Sequence, residues 1–252
     1  MIVISPSKNL NLSNEKFSFN ETTPFFISES KSLIKKIKLL GVNELKSLMK
    51  VSDALAKLNH QRFQEINRKT NILKAAIFLF SGDTFNGLSI RSMNNKALLY
   101  SQKRLRILSG LYGVIRPFDL IEPYRLEMGT KIKDIIGMDL YSFWRKKITT
   151  HINEELKRSE ARYLFNLASN EYFSSLLPNK LNCEIVNFDF KRKKNNSLSN
   201  IGMMIKKLRG SMAKFILENK IVKIEELKDF NEYGFKYFSS NDSSNQFIFA
   251  SE

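Results

Sequence analysis

A mixed α/β fold in a single compact domain is what this chain of 252 residues predicts, and two observations predict it. Apolar runs of strand length, at residues 2–5, 75–80, 162–168 and 184–190, alternate with longer stretches whose apolar residues recur at helical spacing. Neither an internal repeat nor a low-complexity linker interrupts that alternation, so residues 1–252 read as one domain around a mixed sheet. With 42% hydrophobic residues, such a chain can bury roughly 70–75% of its unfolded surface.

The elements follow in order. Residues 2–5 form a short buried strand that stops at Pro6, and the polar stretch 11–30 reads as a surface loop or arm. Leu33, Ile34, Ile37 and Leu40 sit at helical spacing, with Gly41 as a natural residue to end that helix. A second helix starts at Val42 and a third spans 52–67. The continuous apolar run 75–80 predicts a buried strand feeding the turn Ser81-Gly82-Asp83. Residues 96–108 predict a helix ended by the turn Ser109-Gly110-Leu111-Tyr112-Gly113. An amphipathic helix over 140–157 carries Trp144, a strand covers 162–168, and a short helix over 170–177 is stopped by Pro178. A strand at 184–190, a helix at 202–219 and a β-hairpin pairing 234–238 with 246–249 complete the chain.

Charge is the strongest functional signal. The net charge is +16, which points to a polyanionic partner, nucleic acid being the commonest. Lys, Asn, Ile and Phe are abundant together, a mixture that biased coding DNA also yields, but the cations are clustered. Residues 84–118 contain Arg91, Lys96, Lys103, Arg104, Arg106 and Arg116 and no acid. Within them, Ser109, Gly110 and Gly113 form a turn whose N–H groups and flanking arginines suit a phosphate backbone. Residues 191–217 are also free of acids and hold Lys206, Lys207, Arg209 and Lys214 on one predicted helix. The structural alternative for these lysines is a solvated helix face beside a basic loop.

Other chemistries find less support. One cysteine, Cys183, excludes an internal disulfide and a cysteine zinc site, and a reducing cytoplasm is the expected setting. Two histidines, His60 and His151, exclude a histidine-rich metal site. No glycine-rich nucleotide loop follows any strand, and no segment has the length and apolarity of a membrane span. No cofactor or metal is therefore expected, and a monomer is favoured. No aromatic-rich run resembles a platform for stacked bases, so duplex is preferred over single-stranded DNA.

Seven segments together identify a family. ISPSKNL at 4–10, LMKVSDALAKLN at 48–59, FSGDTFNGL at 80–88 and LRILSGLYGVIRPFDLIEPYRLEMGTKI at 105–132 closely resemble the YaaA family. LYSFW at 140–144, NLASNEYF at 166–173 and RGSMAKFILENK at 209–220 do so as well. The resemblance implies a bacterial cytoplasmic protein of hydrogen peroxide resistance that limits free iron and oxidative DNA damage. It further implies a family-specific mixed α/β fold with a helix-hairpin-helix-like element and a positively charged cleft that binds DNA. Helix-hairpin-helix turns place their glycines one residue apart, whereas Gly110 and Gly113 are three positions apart, so the element lies either at 96–118 or at 41–59.

The resulting expectation is a protein that grips duplex or branched DNA without sequence specificity, through Lys103, Arg104, Arg106, Ser109, Gly110, Gly113, Arg116, Lys206, Lys207, Arg209 and Lys214. Its rival is an enzyme acting on a nucleotide or small molecule. Lys8, Asp83, Arg125, Glu127 and Glu171 are charged residues beside apolar runs, and they would have to converge in one cleft. An iron-handling protein is a third reading, in which carboxylates and water would supply the ligands.

Overall fold

The structure, a computed structural model, describes residues 1–13, 19–68, 71–194, 197–241 and 245–251. Strand β1 (Ile2–Ile4) and the short β2 (Asn9–Leu10) precede three helices, α1 (Ile27–Ile37), α2 (Val42–Met49) and α3 (Asp53–Glu65). The run after residue 73 makes two short strands, β3 (Lys74–Ala75) and β4 (Phe80–Ser81), around a single helical turn, α4 (Ala76–Leu79). Helices α5 (Asp83–Leu88) and α6 (Asn95–Arg104) lead into β5 (Leu105–Ser109), β6 (Gly113–Ile115) and β7 (Leu120–Ile121). Next come α7 (Lys133–Ile136), the long α8 (Leu140–Arg158), β8 (Tyr163–Leu167) and α9 (Asn170–Phe173). The chain ends with β9 (Glu184–Lys194), β10 (Ser197–Asn200), α10 (Met204–Glu218), β11 (Asn231–Glu232), β12 (Phe235–Asn241) and β13 (Gln246–Ser251).

The main sheet has nine strands in the order β11-β12-β13-β9-β8-β1-β5-β6, with β10 paired to β9. From β13 to β5 the neighbours run parallel, and antiparallel pairs close both ends, so the sheet is mixed. Every residue of β1 and β5 is buried, as parallel strands covered on both faces require. The hairpin β12–β13 forms as expected, although residues 242–244 of its turn lie outside the described residues.

Four local expectations need correction. Residues 76–79 coil into a helical turn, because a fully buried run of this length carries no periodicity that separates strand from helix. The helix expected over 96–108 ends at Arg104, and Leu105 to Ile107 pair with Ile2 to Ile4 in the sheet centre. Gly41 starts α2 rather than ending α1, its N–H donating to Glu44 Oε2 at 2.7 Å. The arm expected over 11–30 is tied down after residue 18. Phe19 stacks on Phe118, Thr22 bonds Asp119, and Phe26 is buried against Trp144, while residues 14–18 lie outside the described residues.

Among the described residues, no helix is long and apolar enough to cross a membrane.

Candidate functional site

The sheet order creates a crevice at one edge. From β1 the chain crosses to β5 on one side, whereas from β8 it crosses to β9 on the other. The connections leaving the carboxyl ends of β1 and β8 therefore diverge, which is where open α/β sheets bind ligands. Two short segments follow those ends, residues 5–9 and 168–172, and serines stitch them together. The Ser169 N–H donates to Ser5 Oγ at 2.9 Å, and the two hydroxyls lie 3.2 Å apart.

The cleft has a volume of about 400 Å³, and Lys8, Asp83, Arg125, Glu127 and Glu171 all line it, together with Lys206 and Arg209. The five charged residues expected to converge in the enzyme reading do converge. Lys8 Nζ lies 2.8 Å from Glu127 Oε2, and Arg125 Nη2 lies 2.9 Å from Glu127 Oε1. Burial pushes the Glu127 carboxyl up, but Lys8 and Arg125 together hold it below the usual glutamate range. Glu171 Oε1 accepts the Gly129 N–H at 3.0 Å.

Lys206 and Arg209 arrive through an unusually close helix crossing. A Cβ on Gly210 would stand 1.8 Å from the Thr84 carbonyl oxygen, and one on Gly87 would stand 1.9 Å from that of Lys207. Backbone therefore meets backbone where α10 crosses α5, and only glycine fits there. Arg209 is half-buried, and desolvation pushes its guanidinium below the ordinary arginine value. Asp189 is the carboxylate whose charge it feels, but Asp189 ion-pairs with Lys191 at 3.0 Å. Among the described residues, nothing accepts a hydrogen bond from the Arg209 guanidinium.

The basic hairpin has a different role from the one expected. Arg106 is buried and grips Glu155 with two bonds of 2.6 Å. Ser109 is fully buried, its Oγ 2.6 Å from Tyr124 Oη and accepting from the N–H groups of Leu111 and Tyr112. Gly110 abuts the Leu126 carbonyl, and its own carbonyl accepts from the Trp144 indole at 2.9 Å. Gly113, with φ +72°, lies against the six-membered ring of Trp144. The turn therefore seats the core tryptophan, and the N–H groups of Leu111 and Tyr112 are taken by Ser109 rather than left to a phosphate.

Arg116 is spent on Asp119 and the Thr23 carbonyl, while Arg104 bonds the Ser159 carbonyl and lies over Tyr100. Lys103 is exposed, but it sits with Arg104 at the amino end of β5, the sheet edge opposite the cleft. Lys207 lies over the Tyr233 ring, and Lys214 bonds Ser92 and approaches Glu218, both outside the cleft. A helix followed by a strand hairpin occupies 96–118, so no helical hairpin lies there. Helices α2 and α3, joined by residues 50–52, are consecutive at 42–65.

Sequence reasoning misses Ser169, and it misses the grouping of Arg209 with the five charged residues. A signal for Ser169 is present: a buried strand followed by Ser-Pro-Ser-Lys at 5–8 and another followed by Ala-Ser-Asn-Glu at 168–171.

Comparison with known proteins covers the whole of this architecture. A family model described as peroxide stress protein YaaA matches residues 1–241. The chain is 42% identical over 251 residues to a UPF0246 protein of Idiomarina loihiensis, covering 99% of this chain and 97% of that one. A UPF0246 protein of Aliivibrio fischeri is 42% identical over 254 residues, covering 100% of this chain and 98% of the relative. One of Rickettsia conorii is 40% identical over 249 residues, with 99% and 98% covered. These matches span both cleft segments, the sheet beneath them and the α5–α10 crossing, and the chain belongs to the family of the peroxide stress protein YaaA.

Proposed function

We propose that this protein serves the hydrogen peroxide response by gripping duplex or branched DNA through backbone phosphates, and so limits free iron and oxidative DNA damage. One observation supports this reading best. Strand β9 runs parallel to β8 and continues to Lys194, well past Asn187, its last partner on β8. The ribbon it forms with β10 therefore projects from the same sheet edge as the cleft. Arg192, Lys193 and Lys194 are exposed on it, with no carboxylate within ion-pair distance among the described residues. Lys206 adds a fourth cation where α10 borders the cleft.

Such an edge reads charge and shape rather than base sequence. The test is anisotropy of labelled duplex and four-way-junction DNA across a salt series. Log K is expected to fall steeply with log salt. For Arg192/Lys193/Lys194→Ala the slope should be shallower by roughly 0.9 for each phosphate that the variant no longer neutralises. An unchanged slope in that variant would remove the ribbon from the DNA site, and no binding above low salt would remove the DNA reading.

The convergence of Lys8, Asp83, Arg125, Glu127 and Glu171 favours a second reading beside it, that the cleft handles a nucleotide or small molecule by acid/base chemistry. In neither reading does peroxide act through the cysteine. Burial pushes the Cys183 thiol up to about 11, leaving little of the thiolate that reacts with peroxide. Cys183→Ser is expected to protect cells from hydrogen peroxide as well as the wild type does; a sensitised strain in a survival assay would overturn this.

A further inference from the structure

Beyond DNA contact, we propose that the cleft binds a small phosphate monoester of the sugar-phosphate or nucleoside-monophosphate class, its phosphate on Arg209 and Lys206 and its hydroxyls against Asp83 and Glu171. The proposal rests on the second reading above and gives it a ligand class.

Enclosure is the first argument. The cleft is concave, about 400 Å³, and set where the connections from two paired parallel strands run off in opposite directions, as small-ligand sites are. A duplex needs an open edge, and the ribbon supplies one. Charge is the second. Glu127 occupies both Lys8 and Arg125, whereas Arg209 and Lys206 have no acceptor among the described residues. A half-buried guanidinium with unfilled N–H donors lacks what a phosphate oxygen provides, and it is held in place because α10 is locked against α5 at Gly87 and Gly210. The carboxylates are the third argument. Asp83 and Glu171 on the cleft wall repel a polyanion, but they accept hydrogen bonds from sugar hydroxyls. An anionic end and a hydroxyl-bearing body satisfy both halves of the wall at once.

The experiment is calorimetric titration of the full chain with ribose 5-phosphate, adenosine 5′-monophosphate, adenosine and inorganic phosphate, with thermal melts alongside. At least one of the two esters is expected to bind and raise the melting temperature, with inorganic phosphate competing and adenosine silent. Arg209→Ala should weaken ester binding roughly tenfold to a hundredfold, and Arg209→Lys should restore part of it. Glu171→Gln should weaken the esters while leaving inorganic phosphate unchanged.

Circular dichroism and ligand-free thermal melts show that each variant is folded. The ribbon variant Arg192/Lys193/Lys194→Ala separates the two functions, since it should weaken DNA binding, with a shallower salt slope, and keep the esters. Failure of every phosphate probe at millimolar concentration, or equal binding to wild type and a folded Arg209→Ala, overturns the proposal. Either result leaves the DNA reading standing on its own measurement.

Discussion

Replacing Gly210 with alanine is expected to destabilise the protein by about 3 kcal/mol, at the upper end of what overpacking costs. The new methyl would meet the Thr84 carbonyl oxygen at 1.8 Å and the Leu88 nitrogen at 2.7 Å. Both are backbone atoms, so no side chain can rotate away to make room. The helices must separate instead, and α5 and α10 form one of the most extensive helix pairs in the molecule. For a chain of this length the melting temperature should fall by roughly 10 °C. Gly87→Ala should behave alike, since its methyl meets the Lys207 carbonyl at 1.9 Å. The separation also draws Lys206 and Arg209 away from Lys8 and Asp83, so ester binding should weaken even in the folded fraction. A melting temperature close to that of the wild type would show that the two helices can part at little cost.

Arg106→Ala should cost about as much or more, and for a reason unrelated to DNA. The Arg106 guanidinium is buried, donates to the carbonyls of Gln102 and Leu105, and holds Glu155 through two 2.6 Å bonds. Removing one partner of a buried pair strands the other charge, at about 3–5 kcal/mol. Replacing both partners with apolar residues of similar volume, as in Arg106→Met with Glu155→Leu, should recover most of that loss.

Burial pushes the Glu155 carboxyl up, but Arg106 more than offsets it and leaves the group below its ordinary value of 4.5. The pair therefore contributes fully above that pH and is lost as pH falls through the depressed folded value. Urea denaturation of the single and double variants checks the coupling. A fully stable Arg106→Ala that had lost its affinity for DNA would restore the arginine to the DNA surface.

The buried hairpin shows where sequence misleads. Arg106, Ser109, Gly110 and Gly113 have the composition of a phosphate loop, yet each is consumed by a partner elsewhere along the chain. Those partners are Glu155, Tyr124, Leu126 and Trp144. Glycine at a turn marks either a ligand's approach or a neighbouring backbone's, and local pattern does not separate them. Asp119 likewise claims Arg116 through a turn that nothing in the charge count reveals.

Much else was legible. The alternation of strands and helices set the mixed α/β class. The buried runs near residues 2–4 and 163–167 marked two of the central strands, and the long helix at Leu140–Arg158 followed from its periodicity. Lys8, Asp83, Arg125, Glu127 and Glu171 stood out as charges beside apolar runs, because a charge there must face either a partner or a cleft.

What the sequence determined by itself, then, was the inventory: which segments are apolar enough to be inside, which charges lie at their ends, and which family the segments resemble. Tertiary structure alone decided the grouping. Strand β1 enters the sheet between β8 and β5, both far away along the chain, and that insertion aligns residues 5–9 with residues 168–172. Sheet order and the contact of two glycine-bearing helices are set by burying apolar area over the whole chain at once, so no local window contains them.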